Sequence, residues 1–137
     1  MSAGKELWSA IFHALTANAA LVAMVEGIHD KAPDQPWGAK NAYISRGPFY
    51  GSSEDADCIL GQEITGQIDI WSRKASRWSM DDMIAEVRRS LHQKEFPLDE
   101  MALATMEVRL WRVVDDPDPT TQHGTVQILA IIEEAET

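Results

Sequence analysis

The chain has 137 residues, of which 45% are hydrophobic and 25% charged, and its formal net charge is −10. This length suits one domain over residues 1–137 with a core of its own, and the composition excludes a chain that is disordered throughout. A negative field of this size repels phosphate backbones, so we expect no specific DNA binding by the chain alone.

The sequence carries few targeting or redox features. Cys58 is the only cysteine, so neither an intramolecular disulfide nor a multi-cysteine metal site can form. The N-terminus mixes Lys5, Glu6 and His13 with its apolar residues, unlike a signal peptide, and no apolar run reaches the roughly 20 residues of a membrane helix. We therefore expect a protein that is made in the cytoplasm and has no membrane contact.

Two short helices are predicted at the N-terminus. Apolar residues recur at helical spacing over residues 5–16. Asn18 suits the cap of a second helix over residues 19–25, and Gly27 suits its terminator. Together these segments predict a helical hairpin.

Two strands are predicted in the middle of the chain. The first covers residues 42–46 and ends at Gly47-Pro48, after which residues 47–57 are predicted to be a mobile polar loop. The second covers residues 58–72, where apolar and polar residues alternate.

Ser79 is predicted to cap a central helix, with Asp81 and Asp82 in its first turn near the positive end of the helix dipole. Five apolar residues follow at helical spacing and predict a buried stripe: Met80, Met83, Ile84, Val87 and Leu91.

The last two strands are predicted around residues 106–112 and over residues 125–133, joined by a turn-rich connection at 115–124. Strict alternation in the first of these strands predicts one face with Met106, Val108, Leu110 and Arg112, and another with Glu107, Arg109 and Trp111. The element order predicts an α+β fold: an antiparallel sheet of about four strands, with the N-terminal helical hairpin and one central helix packed on it.

No residue pattern indicates catalysis or a cofactor. His29, His92 and His123 follow no metal-ligand spacing, and no zinc-protease, phosphate-loop, dinucleotide or nucleophile-elbow motif occurs. A thiol enzyme that pairs Cys58 with a histidine is an alternative. The acidic residues just before Cys58 disfavour a thiolate, so we expect no catalytic role for it. Because no other catalytic or cofactor motif occurs, we expect no cofactor and no enzyme.

Two acidic clusters could hold a divalent cation: Glu54-Asp55-Asp57 and Asp115-Asp116-Asp118. Neither follows the spacing of a calcium loop, and the second lies in a proline-rich turn. Solvated loops are therefore the simpler interpretation.

Large apolar residues are predicted on the sheet face away from the central helix. Trp71 and Trp111 are expected there, joined by Leu129 and Ile131 from the last strand. Monomers rarely expose such a surface, so these four residues predict a subunit interface. In the alternative interpretation the N-terminal helices cover this face and form a third layer.

Several segments together form a distinctive pattern. It includes ALTANAALVAMV near the N-terminus, Ala42-Tyr43-Ile44, the QIDIWSR strand end at residues 67–73, and His123-Gly124 before the last strand. In these segments the chain resembles the tail-completion, or tail-terminator, family of tailed phages and gene transfer agents. The resemblance covers nearly the whole chain, although residues 74–78 lack the glycine that is common there.

The resemblance implies a structural protein that forms a homo-oligomeric ring, expected to be a hexamer. Such a ring caps the tail tube and joins it to the head–tail connector proteins, so the implied partners are further copies, the tail-tube protein and the connector. It assembles in the cytoplasm and becomes part of a phage-like particle, and the family offers no catalytic residues.

DNA is expected to pass through the lumen of this ring without binding. Basic groups on the wall would release counterions and hold the DNA. We therefore expect the lumen to carry an excess of carboxylates, from Asp55, Asp57, Asp115, Asp116 and Asp118. The alternative function is a small-molecule-binding α+β module with a deep apolar pocket.

Overall fold

The computed structural model describes residues 2–55 and 59–134. The helices are α1 (Ala3–Thr16), α2 (Ala19–Met24) and α3 (Arg77–Leu91), and the strands are β1 (Ile28–His29), β2 (Ala42–Ser53), β3 (Gly61–Ser72), β4 (Ala102–Asp115) and β5 (Gln122–Glu133). The strand order is β1-β2-β3-β5-β4, and every neighbouring pair is antiparallel except β1 with β2. The predicted α+β class is confirmed, with one short parallel strand added to the expected four.

The helices pack on one face of the sheet. A single core cluster joins apolar residues of α1 and α3 to those of β2, β3, β4 and β5. Asn18 connects the helices, because its Oδ1 accepts from Leu21 N at 3.1 Å while its Nδ2 donates to Ser90 Oγ at 2.9 Å. The hairpin and α3 therefore form one layer, and the third layer considered from the sequence does not form.

β2 continues past the Gly47-Pro48 pair. Residues 49–53, predicted as loop, pair with β3 from Phe49 to Ser53, and the register shifts by one residue between Arg46 and Phe49. Proline lacks an amide hydrogen and is tolerated in sheets at edges and bulges, so the pair produces a bulge here instead of ending the strand.

α3 begins one turn earlier than predicted. Its N-cap is Ser76, and Ser79 lies inside the helix, where its hydroxyl donates to the Ser76 carbonyl at 2.6 Å. Asp81 and Asp82 therefore lie in the second turn, where the helix dipole has little effect on them. Every residue of the predicted apolar stripe is buried.

The hairpin of β4 and β5 is also longer than predicted. Its pairing runs from Ala102 with Glu133 to Asp115 with Gln122. Asp115 is thus the last residue of a strand, and the connection shrinks to residues 116–121. Pairing with β5 stabilises the two ends of β4 as strand, although their own sequence has no clear alternation of apolar and polar residues.

We expect Val87→Asp to destabilise the protein strongly. Val87 is fully buried in the core cluster, so the substitution buries an unpaired charge and costs several kcal/mol, on the order of 3 or more. Urea unfolding followed by circular dichroism measures the loss.

The matched control is Ala85→Asp on the exposed side of the same helix, where a change within about 0.5 kcal/mol is expected. Cooperative unfolding of Val87→Asp at the wild-type urea midpoint would mean that this face of α3 is not buried.

Candidate interaction surface on the open sheet face

Trp71 lies on the sheet face that no helix covers, which we call the open face. Its strand partners are Tyr43 on β2 and His123 on β5. The alternate residues of β3, such as Ile70, are buried toward the helices. Trp71 therefore lies on the predicted face of the sheet, away from the central helix.

Trp111 does not share that face, contrary to the prediction. A register shift after Val108 leaves Arg109 without its own partner, so Trp111 pairs with Val126, a core residue on the helix side. The Arg88 guanidinium lies 5.4 Å from the centre of the Trp111 ring, which confirms the contact with α3. A one-residue bulge reverses the face of every later side chain in a strand.

The same bulge moves Leu110 to the open face, where it pairs with Gln127. Leu129 and Ile131 lie on this face as predicted, opposite Thr65 and Glu63 of β3, and both are half-buried. Trp71, Leu129 and Ile131 therefore share one surface, while Trp111 belongs to another.

A row of aromatic rings crosses one end of the open face. Trp37 contacts Tyr43 edge-on with ring centres 4.9 Å apart, Tyr43 lies 6.3 Å from Trp71, and His123 stacks on Trp71 at 3.8 Å. The Arg73 guanidinium lies 4.1 Å from the centre of the Trp37 ring. Such planar contacts favour a rigid surface over a mobile one.

Polar partners fix the orientation of this row. His123 Nε2 lies 2.8 Å from Asp69 Oδ1, which also accepts from Gln67 Nε2 at 2.8 Å. The Trp71 indole donates to Ser45 Oγ at 3.2 Å. The row presents aromatic faces and satisfied polar groups, and this chemistry suits contact with another protein.

The two acidic turns lie at opposite ends of the sheet. One end carries Asp55, beside the pairing of Gly61 with Glu133, and the other carries the 116–121 turn, beside the pairing of Ser72 with Gln122. The intervening strand of 12 residues spans about 40 Å. Asp57, like Cys58, lies outside the described residues.

The second turn is held by its own hydrogen bonds. Asp118 accepts from the backbone amide and hydroxyl of Thr120, at 2.9 and 2.8 Å, and from the Thr121 hydroxyl at 3.0 Å. The Thr120 bonds are the main reason that the pKa of Asp118 is lowered, and the Arg73 guanidinium at 3.7 Å adds to them. The carboxylate therefore serves to close the turn.

The metal-binding and ligand-binding alternatives concern the side-chain clusters and clefts of the described residues. Within residues 2–55 and 59–134, no group of three or more His, Cys, Asp or Glu residues could hold a metal ion. The cleft between α3 and β4 has a volume of about 400 Å³, opens to solvent, and is lined partly by Arg88 and Arg89. Because it is open, this cleft differs from the deep apolar pocket that the sequence-based alternative predicts. No helix in the described part of the chain is long and apolar enough to cross a membrane.

Comparison with known proteins identifies relatives of this chain. Residues 9–133 match the family model of the tail completion protein gp17. Among solved structures, a chain described as the virion of a native gene transfer agent (GTA) particle matches with a TM-score of 0.87 and 19% sequence identity, covering 96% of this chain and 98% of that chain. A comparison with curated proteins found no match.

The two chains thus share one α+β fold over almost the full length of both. The chain belongs to the tail completion protein gp17 family, which confirms the resemblance found in the sequence. The family match supports a structural protein of a phage tail.

The aromatic row was not predicted from the sequence apart from Trp71. Tyr43 and His123 lie 28 residues before and 52 residues after it along the chain, and only the strand register brings them together. The one available signal is the position of His123 next to Gly124 at the start of a predicted strand.

We expect Tyr43→Phe to flatten the loss of stability at alkaline pH. Burial raises the pKa of Tyr43, Arg73 opposes this, and Asp116 and Asp69 add to it. A raised folded pKa contributes stability below about pH 10, the unfolded value, and this contribution is lost as the pH rises through the folded value. Phenylalanine has no proton to lose.

Urea unfolding at a series of pH values from about 8 to 11, which brackets the reference tyrosine pKa, measures the difference. The matched control is Tyr50→Phe, which removes an exposed phenol. An identical alkaline slope for wild type and Tyr43→Phe would contradict the burial of Tyr43.

Proposed function

We propose that this chain is the subunit of a ring, six-fold and homo-oligomeric, that terminates the tail tube and joins it to the head connector. The family match over residues 9–133 is the observation that carries this proposal. Its action is structural and needs no catalytic group. It assembles in the cytoplasm before it becomes part of the particle.

The open face supports the proposal as a contact surface toward a neighbouring protein of the tail. Trp71, Leu129 and Ile131 lie on the sheet face that no helix covers, and each is half-buried; Trp71 lies about 20 Å along the strands from Leu129. Apolar surface of this kind is stabilised when a partner removes it from water. Trp111 would take part in a separate contact, on the side of α3.

The positions of the acidic turns suit a ring that meets two different partners. If the ring axis follows the strands, Asp55 lies at one rim, while Asp115, Asp116 and Asp118 lie at the other. One rim would face the tail tube and the other the connector. Carboxylates at both rims of the lumen would let DNA pass without holding it.

The mass of the protein in solution tests the ring directly. Each chain contributes 15.3 kDa, so a ring of six chains has a mass of about 92 kDa. Native mass spectrometry over a concentration series is expected to show this species growing at the expense of monomer.

A monomer or dimer at every concentration would contradict the ring. If such a species carried a bound small molecule, it would instead support the ligand-binding alternative.

The acidic lumen predicts an effect of charge reversal. We expect Asp115→Lys to make the assembled ring bind duplex DNA, because each ring would place a cation from every subunit at the rim. Binding measured by fluorescence anisotropy should weaken steeply as salt is raised.

The matched control is Asp34→Lys, which reverses an exposed charge in the segment between β1 and β2. Equal DNA binding by the two variants would place Asp115 outside the lumen. This result would not contradict the proposed ring.

A further inference from the structure

The outer edge of β4 is covered along its first half only. Pro97 bridges to Ala102, Gln93 N donates to Met106 O at 3.0 Å, and Val108 N donates to His92 Nδ1 at 3.0 Å. The segment between α3 and β4 therefore occupies the edge from residue 102 to residue 108.

The second half of this edge, residues 109–115, has no partner strand in the described chain. Backbone groups alternate between the two sides of a strand, so the amides of Trp111, Val113 and Asp115 point outward. Leu110 on the open face and Trp111 on the helix face are each 48% exposed beside these groups. This half-edge, which we call the β4 half-edge, offers unpaired backbone groups and an exposed apolar side chain on each face of the sheet.

β2 forms the other side of the sheet and is also half covered. β1 pairs with it at Ile44 and Ser45, and Glu26 N donates to Ala42 O. No described strand pairs with the outer side of residues 46–53. We call these residues the β2 half-edge. The chain thus carries two different open half-edges on opposite sides of one sheet.

We propose that the β4 half-edge of one copy pairs with the β2 half-edge of a second copy of this chain, so that the sheet continues from subunit to subunit. This inference rests on the proposed ring and identifies its lateral interface. Open strand edges are a liability unless they are paired or covered, and each contact between two copies covers one half-edge of each kind.

Strand direction supports this partner. β2 and β4 are separated by two antiparallel strands, so they run in opposite directions within the sheet. A second copy placed beside the first in the same orientation therefore presents its β2 antiparallel to β4. The surfaces differ from each other, so the contact is heterologous, and such a contact generates a ring when the rotation between neighbouring copies closes.

The two half-edges lie at different heights along the strands. The middle of the β4 half-edge is level with Asp69 of β3, and the middle of the β2 half-edge is level with Thr65. Four residues of strand correspond to an offset of about 13 Å between neighbours. Closed rings of strands require such an offset, because their strands are inclined to the axis.

Charge also favours this pairing. Arg112 lies within the β4 half-edge and Arg88 contacts the ring of Trp111 there; no carboxylate among the described residues lies within ion-pair distance of either. Glu54 and Asp55 follow the β2 half-edge and likewise have no cationic partner in the described ranges. The contact would bring charges of opposite sign together and disfavour pairing of two β4 edges.

Blocking each half-edge separately tests the inference. Val113→Pro removes an outward amide of β4, and Ser53→Pro does the same for β2. Leu110→Asp and Tyr50→Asp keep the backbone and place a charge at each half-edge, where Leu110 is 48% and Tyr50 64% exposed. The matched control is Trp78→Asp, at a 73% exposed residue in the first turn of α3. Circular dichroism selects the variants that fold.

Each blocked variant is expected to lose the ring and remain monomeric, with association at least about tenfold weaker, whereas Trp78→Asp keeps it. A β4-blocked variant mixed with a β2-blocked variant is expected to give a one-to-one dimer and nothing larger. In this mixture each dimer contains one intact β2 half-edge facing one intact β4 half-edge.

Three outcomes would overturn the inference. If folded Leu110→Asp and Tyr50→Asp proteins still form rings, the proposed ring is supported but its lateral interface lies elsewhere. Dimers formed by the β2-blocked variant alone show that β4 pairs with β4. A wild-type chain that never assembles removes both the ring and this interface.

Discussion

The uninterrupted pairing of β3 with β5 is the constraint on which the rest of the structure depends. It runs without a register shift from Gly61 with Glu133 to Ser72 with Gln122. Because side chains alternate strictly along both strands, this ladder assigns one face to the core and the other to the open surface. The helices can bury only the first of these faces, so the second remains available to partners.

The outer strands depart from that regularity, and the departures shape the surfaces. A bulge at Gly47-Pro48 changes the direction of β2, and shifts near Ala104 and Arg109 do the same in β4. The second of the β4 bulges turns Trp111 toward Arg88 and Leu110 toward the open face. The apolar residues available to partners are therefore divided between a sheet face and a strand edge.

Much of the fold was predictable because its signals are local. The cap at Asn18, the stripe through Val87 and the alternation in β3 each follow from a few neighbouring residues, and the family pattern agreed with them. The side of Trp111 was not predictable, because no glycine or proline marks the bulge at Arg109. The strand after Pro48 was missed for the opposite reason: a residue that usually ends a strand here forms a bulge held by β3.

Imaging the assembled protein along its axis by electron microscopy tests the central claim most directly. We expect a closed six-fold ring in which the sheets of neighbouring subunits meet at their edges. A two-fold particle, or a ring whose subunits touch only through their helices, would contradict it.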